Sequence, residues 1–146
     1  MIKSALLALR YELESLCVDF WYEVDINGAG DAPGYYVDDA VFESSVRESR
    51  GRAEIEAFYS RRHAPGSRVS LHVINNFRIE PESDSRVRCQ YILSLFAADG
   101  IPVLPSRPPV MLALVEEVVL KQSDGSWRYA SRRVHPQFRD GTATKG

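Results

Sequence analysis

The residues best suited to acid–base chemistry are a histidine and an aspartate, His72 and Asp25. His72 lies in residues 70–79, which are predicted to form a β-strand. Side chains alternate across a strand, so His72, Ile74 and Asn76 would share one face. A solvent-facing surface has no need of Ile74, and a plain core would not accept His72 and Asn76 without partners. This mixed face therefore either lines a pocket or contains a structural, hydrogen-bonded histidine.

Asp25 stands at the end of a long helix predicted over residues 4–24. Ser4 can cap this helix, and apolar residues recur along it at spacings of three and four. The apolar stripe consists of Leu6, Leu9, Leu13, Leu16, Phe20 and Val24, widened by Val18 and Trp21. The helix is therefore expected to lie across a sheet. Because a negative charge is unfavourable at a helix C-terminus, Asp25 is either the first residue of a loop or a carboxylate that serves a pocket.

Length, composition and charge limit the classes of protein to which the chain could belong. Its 146 residues fit one domain, with a core expected over 4–136 and a tail over 137–146. The net charge of -2 and a pI of about 5.9 argue against a nucleic-acid-binding protein, which normally carries a basic stripe. No apolar run approaches the ~18–20 residues of a membrane span. We therefore expect neither nucleic acid nor membrane as a partner.

The sequence has no recognisable metal or phosphate motif. Cys17 and Cys89 are far apart and lack metal-ligand spacing, so both are predicted to be free thiols in a reducing cytoplasm. The loop over residues 27–34 is rich in glycine, but no Lys-Ser or Lys-Thr follows it. We expect neither a metal nor a cofactor.

The remaining elements follow from local patterns. A short second helix is expected over 51–60, with Ile55, Phe58 and Tyr59 facing inward and His63 on the surface after it. Strands are expected at 40–44, 67–80, 86–97, 110–122 and 127–134, with a polar loop over 46–50. Residues 101–109 contain four of the eight prolines and should form no central strand. This order predicts an α+β fold with the helices on one face of a curved antiparallel sheet.

Three motifs in this order resemble the nuclear transport factor 2-like superfamily and, within it, the SnoaL-like domains. They are residues 37–43 followed by 51–59, then 71–76, then 124–133. The resemblance covers residues 4–136. It implies a cone-shaped, cystatin-like α+β fold, a hydrophobic pocket at the open end of the cone, and a homodimer formed through the outer face of the sheet. Consecutive apolar residues at 118–120 support such an interface, since they cannot all point inward.

A comparison with ketosteroid isomerase, a member of this superfamily, argues against its chemistry here. The aspartate base of that enzyme corresponds to Ser44 or Ser45, and its second acid falls near Leu114. An isomerase of this type needs both a base and a proton-donating acid. Its mechanism is therefore rejected unless Glu43 or Glu116 has taken over.

A comparison with scytalone dehydratase retains half of that enzyme's catalytic set. Asp25 and His72 match an aspartate and a histidine of the enzyme, whereas its second histidine falls at Gln90 and a tyrosine at Ser44. Such a pair would fix the tautomer of His72 and raise its pKa, which makes it a better general base. The same pair could instead be a structural hydrogen bond.

The resemblance leaves three functions open. The first is binding of a small, largely apolar, cyclic metabolite, with cofactor-free dehydration or isomerisation by His72 as base and Asp25 as its orienting group. The second is a non-catalytic ligand-binding or dimeric scaffold. The third is a β-type subunit of an aromatic-ring-hydroxylating dioxygenase. The predicted ligand-binding residues are Trp21, Tyr22, Phe42, Ser44, Tyr59, Asn76 and Gln90.

Overall fold

The computed structural model describes residues 2–62 and 67–141. Its elements are α1 (Lys3–Asp25), a 3-10 helix (Ala32–Tyr35), β1 (Tyr36–Ser44), β2 (Arg47–Arg50), α2 (Gly51–Arg62), β3 (Arg68–Ser83), β4 (Arg86–Asp99), β5 (Met111–Lys121) and β6 (Trp127–Arg139). The expectations for His63 and for residues 142–146 lie outside the described residues. No described helix has both the length and the apolar character that a membrane span requires.

The six strands form one sheet in the order β2-β1-β6-β5-β4-β3, and the fold is α+β as predicted. The sheet is mixed, however. β1 runs parallel to β6, while every other neighbouring pair is antiparallel. The expectation of a wholly antiparallel sheet is therefore wrong at this one junction. Parallel strands need a long connection, and the chain between β1 and β6 supplies one that includes α2 and four strands, β2 to β5.

The largest differences from the sequence-based expectation concern three strands. The first strand was expected to begin at residue 40, but β1 begins at Tyr36. Residues 47–50 were expected to be a loop, but they form β2, which pairs with β1 through Phe42↔Ser49 and Ser44↔Arg47. The last strand was expected to end at residue 134, but it continues to Arg139, which lies opposite Met111. Polar composition concealed the latter two segments, because an exposed strand has no apolar pattern to mark it. The proline-rich residues 101–109 lie outside the strands, as expected.

Helix α1 packs its apolar stripe against the face of the sheet that we call the inner face. Its buried apolar residues are Leu13, Cys17, Phe20, Trp21 and Val24. The Phe20 ring lies 5.6 Å from that of Tyr129 on β6. Leu6 and Val18 are exposed, so the stripe is narrower than predicted. Ile2, and not Ser4, occupies the N-cap position, and it makes no side-chain capping bond.

A β-bulge in β3 changes which side chains face inward. Asn75 lies opposite Ile92 and Arg78 opposite Gln90, so two residues of β3 occupy the space of one residue on β4. Asn76, one of the two, has a positive φ of 58°. His72 and Phe77 are therefore buried, whereas Asn76 is exposed. The prediction that Asn76 lines a pocket with His72 is wrong, because the bulge interrupts the alternation on which it rested.

The bulge predicts the effect of substitutions at Asn76. Alanine should destabilise the protein by ~1 kcal/mol, because the left-handed conformation crowds the Cβ atom and alanine lacks the polar side chain whose local hydrogen bonding lets asparagine adopt it. Glycine should be close to neutral and serves as the matched control. The measurement is the free energy of unfolding in urea. Equal stability of the Asn76→Ala and Asn76→Gly proteins would show that the bulge does not require this conformation.

The tyrosines of the inner face predict unfolding in alkali. Burial raises the pKa of Tyr36, Tyr91 and Tyr129 well above the usual value near 10. In the unfolded chain the same hydroxyls ionise near pH 10. The stability that they contribute is therefore complete below that pH and is lost as the pH rises above it. In a Tyr11→Phe, Tyr22→Phe protein, which lacks the two most exposed tyrosines, absorbance at 295 nm should increase cooperatively with the loss of far-ultraviolet circular dichroism. Ionisation of the tyrosines before unfolding would contradict the burial.

Candidate functional site

The structure brings His72 and Asp25 into contact where the end of α1 meets the edge strand β3. His72 Nδ1 lies 2.7 Å from Asp25 Oδ1, and the His72 backbone N–H donates to Asp25 Oδ2 at 2.6 Å. The Ser70 hydroxyl donates to Asp25 Oδ1 at 3.1 Å. Only 1% of the His72 side chain and 5% of the Asp25 side chain are exposed. The two groups therefore form a fixed, largely dry pair.

The hydrogen bonds explain why a carboxylate is tolerated at the end of α1. The helix dipole opposes a negative charge at this position, but Asp25 accepts hydrogen bonds from Ser70 and from both the backbone and the ring of His72. Because the carboxylate faces Nδ1, the neutral ring carries its proton there. Nε2 is then the basic nitrogen of His72, and Asp25 selects this tautomer.

Trp21 holds the plane of the His72 ring. It lies one helical turn before Asp25, so both side chains leave the same face of α1. The indole and the imidazole stack with centroids 4.1 Å apart and an interplanar angle of 13°. Trp21 Nε1 donates to the Tyr91 hydroxyl at 3.0 Å, which fixes the indole in turn. The last turn of α1 thus supplies both the in-plane and the stacking partner of His72.

A buried ion pair lies next to this arrangement. Arg132 has no exposed surface, and it donates to Glu117 Oε2 through Nε at 3.0 Å and Nη2 at 2.5 Å. Its Nη1 donates to the Tyr36 hydroxyl at 2.6 Å, and that hydroxyl lies 3.3 Å from the hydroxyl of Tyr59. Burial is the largest single influence and lowers the pKa of Arg132, but Glu117 together with Tyr36, Tyr91 and Tyr129 outweighs it and holds that pKa well above its ordinary value. The protein interior therefore contains a permanent cation with a paired anion.

The sequence analysis missed Arg132 and Glu117, although one of them left a signal. Glu117 stands between Val115 and Val119 at a spacing of two, and all three are buried. A carboxylate at this position in an inward-facing pattern indicates a buried partner. No comparable signal marks Arg132, because a register shift between β5 and β6 precedes it.

An open groove of about 430 Å³ reaches the His72–Asp25 pair from outside. Its lining residues are Val18, Trp21, Tyr22, Asp25, Ile26, Leu71, His72, Val73 and Ile74. Apart from Asp25 and His72, these side chains are apolar or aromatic. Tyr22 is 56% exposed and borders the groove. The groove gives a ligand a largely apolar surface with one acid–base pair.

The other predicted ligand-binding residues lie elsewhere. Phe42 is buried against Phe58 of α2, with ring centroids 5.3 Å apart, and Tyr59 is buried near Tyr36. The Ser44 hydroxyl oxygen is buried and has no hydrogen-bond partner in the described part of the chain. Of the seven predicted residues, Trp21 and Tyr22 line the groove.

The prediction that Gln90 serves the pocket is wrong. Its neighbours Cys89 and Tyr91 are the residues buried on the inner face of β4. Successive side chains on a strand point to opposite faces, so Gln90 lies on the outer face. The resemblance to a dehydratase had placed a histidine equivalent at this position, one residue out of phase with the inner face.

Within residues 2–62 and 67–141, no group of three or more histidine, cysteine, aspartate or glutamate side chains could hold a metal ion. Cys17 and Cys89 are buried free thiols. Burial raises the pKa of both, so neither is a ready thiolate nucleophile. Asp25 and His72 are therefore the acid–base groups that the described residues bring to the groove.

Comparison with solved structures shows the same fold in several proteins. ActVI-ORFA from Streptomyces coelicolor matches with a TM-score of 0.78 and 17% identity, over 89% of this chain and 98% of that chain. A scytalone dehydratase candidate from Novosphingobium aromaticivorans matches with a TM-score of 0.77 and 16% identity, over 98% and 100%. A Catenulispora acidiphila protein in complex with S-DNPA matches with a TM-score of 0.72 and 19% identity, over 89% of this chain and 94% of that chain.

Comparison with curated protein sequences gave no match. The sequence model of the SnoaL-like domain matches residues 5–133, which is most of the chain. The match covers α1 from residue 5, strands β1 to β5, β6 as far as residue 133, and both members of the His72–Asp25 pair. The chain therefore belongs to the SnoaL-like domain family.

Proposed function

We propose that this protein binds a small, largely apolar, cyclic metabolite in the groove and acts on it by cofactor-free dehydration or isomerisation. The observation that carries the proposal is the 2.7 Å contact between His72 and Asp25 beside that groove. His72 would be the general base, and Asp25 would orient its ring. The groove volume lies within the range of small-molecule sites, and its apolar walls suit a hydrocarbon ring.

Two of the structural matches support a small-molecule function. The Catenulispora acidiphila protein was solved with S-DNPA bound, and the Novosphingobium aromaticivorans protein carries a scytalone dehydratase description. Their identities of 19% and 16% are too low to transfer a substrate. They show that this fold occurs in a protein that binds a small molecule and in one named for a dehydratase.

One residue can perform both proton transfers that the proposed reaction needs. His72 Nε2 would accept a proton from a carbon next to a carbonyl group, and the C–H electron pair would form the new double bond. In a dehydration the imidazolium then returns the proton to the departing hydroxyl group, which leaves as water. In an isomerisation it returns the proton to another carbon. The Asp25 carboxylate stabilises the intermediate imidazolium.

A structural role for the same pair is the competing explanation. Asp25 also accepts the His72 backbone N–H and the Ser70 hydroxyl, so it fastens the edge of β3 to α1. A protein that only binds its ligand would need these contacts for rigidity. The two explanations differ in what they require of the His72 ring.

The Asp25→Asn substitution should lower the pKa of His72 by about one unit or more. An amide keeps the shape of the carboxylate but no longer stabilises the imidazolium by charge. The pKa is measured by NMR titration of the His72 ring. Asp19→Asn is the matched control, because Asp19 is an exposed carboxylate on the same helix. If the pKa of His72 is unchanged in the Asp25→Asn protein, Asp25 does not stabilise the imidazolium by its charge.

Turnover should be detectable with cyclic β-hydroxy ketones, whose dehydration gives a conjugated product with strong ultraviolet absorbance. His72→Gln should reduce the rate by a factor of ~10²–10⁴, the usual contribution of a general base. Circular dichroism checks that the variant is folded. If the His72→Gln protein turns over at the wild-type rate, His72 is not the base, and the pair is structural.

We propose in addition that the protein is a homodimer formed through the outer face of the sheet. Ile92 of β4 is exposed on this face, and Leu112 and Leu114 of β5 are only partly buried beside it. Apolar side chains of neighbouring strands thus form a continuous patch, which is typical of interaction surfaces.

We propose the reducing cytoplasm as the location of the protein, because its two buried cysteines are free thiols.

The Ile92→Arg substitution should convert the dimer into a monomer, because it places an unpaired charge within the patch. Ile101→Arg is the matched control, since Ile101 is equally apolar but lies in the proline-rich segment. Sedimentation velocity at micromolar concentration measures the mass. A monomeric wild-type protein would rule out this interface.

A further inference from the structure

Trp21 lies against the face of the His72 ring. The two rings stack at 4.1 Å with an angle of 13°, while the Asp25 carboxylate lies at the ring edge on Nδ1. The indole itself is 6% exposed and is fixed by its bond to the Tyr91 hydroxyl. His72 is therefore held in plane by one side chain and across the plane by another.

We infer that Trp21 is a positioning residue that favours the protonated form of His72 and so raises the pH range over which this ring exchanges protons. The inference rests on the proposed function of His72 and deepens it. The face of an indole carries negative charge density and attracts a cation in contact with it. A neutral imidazole gains less from the same face, so the stacking stabilises the imidazolium preferentially.

The other described groups near the pair act from different positions. Asp25 on α1 acts at the ring edge, and Ser70 on β3 is neutral and bonds to that carboxylate. On β4, the residue opposite His72 is Leu95. Arg132 of β6 lies over the same indole, with Cζ 5.0 Å from the ring, but its charge is balanced by Glu117 of β5. The indole face of Trp21 therefore stabilises the protonated His72 ring separately from the Asp25 carboxylate.

The titration of His72 tests the inference without any substrate. Trp21→Leu keeps the position apolar but removes the aromatic face, and it should lower the His72 pKa by about half a unit to one unit. Trp21→Phe retains a smaller aromatic face and should give an intermediate value. The order wild type, phenylalanine, leucine is the expected result. A His72 pKa that is the same in all three proteins overturns the inference.

Fluorescence gives a second measurement that needs no change at Trp21, should the leucine protein fail to fold. Trp127→Phe leaves Trp21 as the sole tryptophan of the chain. A protonated imidazole stacked on an indole quenches its emission, so the emission should fall with the same midpoint as the NMR titration. His72→Gln should abolish this transition. Emission that does not follow His72 protonation contradicts the stacking.

These measurements separate the inference from the proposed function. If the Trp21 series shifts the His72 pKa but His72→Gln retains turnover, the coupling stands and the catalytic role of His72 fails. If turnover needs His72 but the pKa is insensitive to Trp21, the function stands and the positioning role fails. Where turnover is measured, the lower limb of its pH profile should move with the NMR pKa in the Trp21→Phe protein.

Discussion

A guanidinium without exposed surface is the constraint around which this interior is arranged. A buried charge is tolerated only where its donors are paired, and Arg132 meets this condition through Glu117 on β5 and Tyr36 on β1. The ring of Phe20 on α1 lies 3.8 Å from its Cζ, and that of Tyr129 lies 4.2 Å away. One side chain of β6 thereby fixes the relative positions of two other strands and the long helix. The apolar contacts alone would not specify that arrangement so narrowly.

The edge of the sheet presents the complementary problem. β3 is a terminal strand, and its outer backbone groups would otherwise be open to another chain. Helix α1 covers this edge with polar side chains: Asp25 accepts the His72 N–H, and Arg10 Nε donates to the Phe77 carbonyl at 3.2 Å. One of these covering contacts, that between Asp25 and His72, is also part of the candidate site. A carboxylate that closes a sheet edge is rigid, and rigidity is also what an orienting group requires.

The sequence predicted the elements whose pattern depends on burial, and it missed those that depend on polar partners. The apolar stripe of α1 and the alternation of Cys89, Tyr91 and Leu93 on β4 correspond to buried faces. The bulge at Asn76 and the inward Arg132 could not be derived, because each follows from pairing between strands distant in the chain. Strand alternation and the end of α1 singled out His72 and Asp25, and the family resemblance paired them, whereas the stacking of Trp21 on His72 follows only from three-dimensional packing.

The parallel junction between β1 and β6 has a consequence for the order of assembly. Val41 lies opposite Ser131, so two strands near the middle of the sheet are separated by about ninety residues of chain. Bringing such distant segments together carries a loop-closure cost that local hairpins avoid. The β3–β4–β5 meander can form from neighbouring segments, but the β1–β2 hairpin joins the sheet only through the last strand. During synthesis, β1 therefore cannot pair with β6 until the ribosome has translated β6 as well.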